Sequence, residues 1–121
     1  MCGRQYDLVE TIGPIMRLYH NPRCSKSRQA KNLLFERGIE FEEFRYLDSG
    51  VHPDDVELLS TIDGIIRVSD LDSETLIDFG DVKAIAELIS ANPRILQRPI
   101  LISNGVAVIG RPPENILTLL P

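Results

Sequence analysis

Cys24 is preceded by His20-Asn21-Pro22-Arg23 and followed by Ser25-Lys26-Ser27-Arg28, and no acid occurs between Glu10 and Glu36. Five cations lie between residues 17 and 31. A thiol in such a field is drawn toward its thiolate, the form that attacks electrophiles. The ordinary fate of a free cysteine is to serve as a small buried hydrophobe. That role leaves a basic rim unexplained, whereas an anion-binding nucleophile needs one. A second acid-free stretch, residues 88–113, carries Arg94, Arg98 and Arg111. The planar, permanently charged arginine fork matches a tetrahedral oxyanion through paired hydrogen bonds, which lysine cannot do. Between the two stretches, residues 36–87 hold fifteen acids and four bases. A chain of net charge −5 that keeps acids out of two distant segments is bringing them together around an anion. The same acidity argues against general nucleic-acid binding.

The surrounding sequence supplies elements that position these residues. Arg17 to His20 reads as a short strand and Asn21-Pro22-Arg23 as a turn. From Ser25 a helix is expected, with Ala30, Leu33 and Leu34 at helical spacing and Gly38 as its stop. Cys24 therefore falls at a strand–loop–helix junction, where unpaired N–H groups and the helix dipole stabilise an anion. A second strand within Ile39 to Tyr46, with a change of phase in mid-run, implies a parallel pair with a right-handed crossover. Helices are expected over Asp54 to Ser60, after a cap at Ser73, and from Asp81 to Ala91, whose stripe is Ile85, Leu88 and Ile89. Asn104-Gly105 between two β-branched runs predicts a type I′ hairpin. Pro99 stands at the head of its first strand, and a final helix is expected over Glu114 to Leu120. The sum is an α/β architecture, a thioredoxin-like β-α-β and β-β-α layer with a helical insertion between the halves at about residues 48–92.

With 121 residues, 43% hydrophobic and 26% charged, the chain reads as one globular domain. Residues 1–15 read as an extension before a domain spanning 16–121, and Cys2 within them as incidental. They have neither the basic start nor the apolar run of a secretion signal. No apolar stretch approaches membrane-spanning length, and two cysteines do not make a disulfide scaffold, so a reducing cytoplasm is the expected location. Paired metal-ligand cysteines and a phosphate-cradling glycine motif are absent from the sequence.

Three segments, His20-Asn-Pro-Arg-Cys-Ser-Lys-Ser-Arg28, Gln97-Arg-Pro-Ile100 and Gly110-Arg-Pro-Pro-Glu-Asn-Ile-Leu117, together resemble the glutaredoxin-dependent arsenate reductases. The resemblance implies Cys24 as nucleophile and His20 as a residue that helps to lower its pKa. It places oxyanion-binding arginines at Arg98 and Arg111, and a further one, inside the insertion, at Arg67. Ser27, Ser25 and Arg28 are added as hydrogen-bond donors to the anion. It also implies arsenate or a similar oxyanion as substrate, glutathione as co-substrate, glutaredoxin as protein partner, and no bound cofactor, metal, nucleic acid or membrane. Arg94 lies outside the motifs and is read as background. After Arg67 the sequence runs Val68-Ser69-Asp70-Leu71-Asp72, where the family tends toward basic or amide residues. Two other functions fit the same fold. One is a general glutathione-linked thiol-disulfide oxidoreductase. The other is a non-catalytic protein-binding relative of the disulfide-stress transcription regulators, although serine at position 27 removes their sensing dithiol.

Overall fold

Leu18 and Tyr19 are neighbours in one short strand and both are fully buried, because successive side chains leave a strand on opposite faces. That alternation divides the core in two. A computed structural model describes residues 16–72 and 77–120. Strand β1 (Arg17–Tyr19) lies inside a four-stranded sheet of order β2-β1-β3-β4. It pairs in parallel with β2 (Glu42–Phe44) and antiparallel with β3 (Ile100–Ser103), which pairs antiparallel with β4 (Val106–Ile109). This is the thioredoxin-like layer expected from the sequence.

On one face Leu18 and Leu101 pack with Ala30 and Leu34 of helix α1 (Ser25–Glu36) and with Ile116. On the other, Tyr19, Ile100 and Ile102 pack against the insertion through Leu59, Ile85 and Ile89. The change of phase along the second strand has the same origin: Ile39 and Phe41 pack on the first cluster, Phe44 and Tyr46 on the second. Only Glu42–Phe44 pair as strand, so the element is shorter than its apolar run.

The insertion contains α2 (Tyr46–Ser49), α3 (Val56–Ser60) and α4 (Val82–Ala91). Asp81 caps α4, its Oδ1 accepting from Ala84 N–H at 3.2 Å. The cap expected at Ser73, and residues 1–15, lie outside the described residues. Two anchors hold the insertion to the sheet. Asp55, 5% exposed, accepts from Tyr19 Oη at 2.6 Å and from Arg17 Nη1 at 2.7 Å. Ile66 and Leu96 form an antiparallel bridge, in which Arg67 N donates to Ile95 O and Gln97 N to Ile65 O. The hairpin turn has φ of 54° at Asn104 and 74° at Gly105, the type I′ geometry expected. The final helix differs from expectation: Pro113–Leu119 is a 3₁₀ helix. Gly110 is tightly enclosed before it, since a Cβ there would stand 2.8 Å from Pro99 Cγ and 3.1 Å from Ile116 Cγ2. Gly110 N–H also donates to Pro99 O at 2.8 Å.

Candidate active site

Cys24 is the N-cap residue of α1, in extended backbone conformation, partly exposed and unpaired. The turn before it is held by its own hydrogen bonds: Cys24 N donates to Asn21 O, and Arg23 N to Asn21 Oδ1. Burial pushes the thiol pKa up. The backbone N–H groups of Ser27 and Lys26 and the Arg111 and Arg98 guanidinium groups act against burial, and the balance lies below the ordinary thiol value. The helix terminus and two arginines from the far end of the chain thus converge on one sulfur, as the two acid-free stretches required.

Arg98 and Arg111 are positioned by the loop entering β3 and the loop leaving β4. The peptide bonds Arg98–Pro99 and Arg111–Pro112 are both cis. Arg111 Nη1 donates to Arg98 O at 2.9 Å, which ties the two loops to each other. Arg67 arrives through the Ile66–Leu96 bridge, two residues upstream of Arg98 on the opposite strand. Asp70 joins them: its Oδ2 lies 3.2 Å from Arg98 Nη1 and 3.7 Å from Arg67 Nε. The Asp70 carboxylate is thus itself the anion between the two guanidinium groups.

Three of the expected residues take other places. Ser27 is fully buried; its hydroxyl accepts from Asn21 N–H at 3.0 Å and shares a 2.7 Å hydrogen bond with His20 Nδ1. Its side chain braces the loop, and only its backbone N–H bears on the sulfur. His20 is 2% exposed; burial, ahead of every neighbouring charge, lowers its pKa and favours the neutral imidazole. Its effect on Cys24 passes through Ser27 and the turn. Arg28 donates to Pro22 O at 2.8 Å and supports the loop from outside.

Beside the turn lies a cleft of about 520 Å³, lined among others by Arg23, Arg45, Asp48, Asp70, Arg94 and Arg98. Arg94, read from sequence as background, therefore shares this cleft with Arg98 and Asp70. Asp70 and Arg45 also line this cleft and were not singled out from the sequence. Their signal was faint, because each sits in the acidic or apolar texture of the middle segment. Among the described residues no group of three His, Cys, Asp or Glu is arranged to hold a metal ion. No helix there is long and apolar enough to cross a membrane.

Cys24 thus sits at a helix N-terminus beside a thioredoxin-like sheet, with Arg98 and Arg111 acting on its sulfur. The ArsC family pattern matches residues 19–119. The chain is 42% identical over 122 residues to an arsenate reductase of Neisseria meningitidis serogroup B, covering 88% of this chain and 99% of that protein. It is 28% identical to the solved arsenate reductase of Vibrio cholerae, with a TM-score of 0.73 over 90% of this chain and 100% of that one. A weaker likeness, 27% identity over 116 residues, joins it to the global transcriptional regulator Spx of Streptococcus mutans, covering 86% of this chain and 82% of the regulator. By sequence pattern, fold and relatives alike, the chain belongs to the ArsC family.

Proposed function

We propose that this chain reduces arsenate to arsenite with Cys24 as its one nucleophile and glutathione and glutaredoxin as reductants. The observation that carries the reading is the convergence of the α1 N-terminus, Arg98 and Arg111 on the Cys24 sulfur, with a net lowering of its pKa. Arsenate is held by Arg98 and Arg111, and by Arg67 once Asp70 gives way to the incoming anion. The thiolate attacks arsenic, an S–As bond forms, and an arsenate oxygen leaves as water after protonation. Glutathione then supplies the second thiol. Arsenite departs with the electron pair of the S–As bond, arsenic falling from the pentavalent to the trivalent state. Cys24 and glutathione are left as a mixed disulfide, which glutaredoxin reduces. Ser27 fits this course: it stands where a resolving cysteine would, and its buried hydroxyl is taken by His20 and Asn21. Such chemistry belongs in a thiol-reducing compartment such as the cytoplasm.

The test is arsenate-dependent NADPH consumption with glutathione, glutaredoxin and glutathione reductase, beside a parallel arm with thioredoxin and thioredoxin reductase. Turnover in the first arm, lost in Cys24→Ser, is the expected result. Turnover in the second arm alone replaces the reductant. Turnover on a glutathionylated substrate without arsenate supports a general thiol-disulfide enzyme instead. The likeness to Spx keeps a protein-binding role as the outcome if no arm turns over.

A further inference from the structure

Two polar atoms near the thiolate have no part in the reaction above. Tyr46 Oη and Arg98 Nε are buried and lack a hydrogen-bond partner among the described residues. Tyr46 opens α2, is fully buried, and stacks on Tyr19 with ring centroids 5.9 Å apart. Its chain neighbours Arg45 and Leu47 line the cleft beside Asn21 and Arg98. Its hydroxyl lies within electrostatic range of Arg98, Cys24 and Asp70. Asn21 approaches the phenolic oxygen without closing a hydrogen bond.

The neighbouring tyrosine shows the contrast. Tyr19 Oη donates to Asp55 and accepts from His52 N–H, so its hydrogen-bonding capacity is used. An unmatched buried hydroxyl is costly, and this chain carries one beside its nucleophile. Burial pushes the Tyr46 phenol up to about 12, so at neutral pH it keeps its proton. Arginine Nε–H can only donate. Two unpartnered donors, on residues within electrostatic range of each other and of Cys24, call for a ligand rich in acceptors.

We propose that Tyr46 is an oxyanion-binding residue, its Oη–H and the Arg98 Nε–H donating to the tetrahedral anion that the guanidinium groups hold beside Cys24. The assignment rests on the oxyanion-reduction reading and deepens it, adding an uncharged donor to a clamp otherwise built of arginine. A neutral donor adds direction without attracting more charge, so it discriminates by where the anion's oxygens lie.

The experiment measures how arsenate, and phosphate as an unreactive analogue, protect Cys24 from alkylation in the wild type and in Tyr46→Phe. Removing an unpaired hydroxyl leaves the melting temperature unchanged or higher. The anion concentration for half-protection is expected to rise roughly 10-fold or more. The arsenate KM rises with it, while the pH midpoint of alkylation without anion stays in place. If the wild type is not protected by either anion, the oxyanion reading falls and this assignment with it. If the wild type is protected and Tyr46→Phe is protected equally, only the assignment of Tyr46 falls. The ring-carbon NMR signals of the wild-type tyrosines provide an independent readout should the variant fold poorly. On phosphate addition Tyr46 should shift and Tyr19 should not; an unmoved Tyr46 overturns the proposal.

Discussion

At the scale of the residue, the site depends on what kind of cation surrounds the sulfur and not only on how many. Arg98 and Arg111 both act to lower the Cys24 pKa, so alkylation rate against pH should show a midpoint below that of a free thiol, about 8.5. In either Arg→Lys variant the charge stays but the fork is lost. Such a change is expected to reduce arsenate catalytic efficiency by roughly 10- to 150-fold, the equivalent of about 1.5–3 kcal/mol for one charged hydrogen bond. Arg37→Lys, at the far end of α1, is the control and should be silent in the same kinetic assay. Ser27→Ala leaves His20 Nδ1 and Asn21 N–H unmatched in a buried place. We expect about 1–3 kcal/mol lost in denaturant unfolding, together with an upward drift of the alkylation midpoint as the turn loosens. His20 supplies a pH signature of its own. Burial holds its pKa below the ordinary value, so the stability gained by keeping the ring neutral is complete above about pH 6.5. It is lost as pH falls through that value toward the folded-state pKa, because the unfolded chain then binds the extra proton. Melting temperature measured between pH 7 and 5 should fall in the wild type and fall less in His20→Gln.

At the scale of the element, the sheet holds three loops in register, and a few contacts transmit that order to the arginines. Asp55 ties the start of the insertion to Arg17 and Tyr19 of β1. Removing one member of a buried ion pair typically costs about 3–5 kcal/mol; Asp55→Ala should show that loss in urea unfolding. The Ile66–Leu96 bridge then fixes the other end of the insertion beside Arg98. Gly110 makes the third connection. A methyl group there would press on Pro99 and Ile116, with overpacking typically costing about 1–3 kcal/mol. Because Pro99 follows Arg98, Gly110→Ala should raise the arsenate KM beyond what its stability loss accounts for, as steady-state kinetics on the folded fraction would reveal.

At the scale of the whole molecule, the sequence was informative wherever one residue type has one structural use. Asn104-Gly105 specified its turn, and the Ala30 and Leu34 spacing specified the buried face of α1. The acid-free stretches foretold which segments would meet. Arg67 could be suggested only by resemblance, because what brings it near Arg98 and Asp70 is a two-bond bridge that leaves no periodic mark. The exchange of roles among Ser27, His20 and Arg28 was hidden for a different reason. Their sequence positions all lie within four residues of Cys24, and only packing decides which of them faces the sulfur. Tyr46 and Asp70 were obscured by an acidic middle segment in which one site carboxylate resembles fourteen others. Asp70 nevertheless changes how the molecule meets its surroundings. Its carboxylate, bonded to Arg98 and near Arg67, is an anion carried on the same chain as the guanidinium groups proposed to bind substrate. If the proposed clamp holds, a dissolved anion competes with that carboxylate, which raises the apparent dissociation constant of every anion alike. In Asp70→Asn phosphate should inhibit arsenate turnover at concentrations lower by several-fold to roughly tenfold, the partial exposure of the pair limiting the effect.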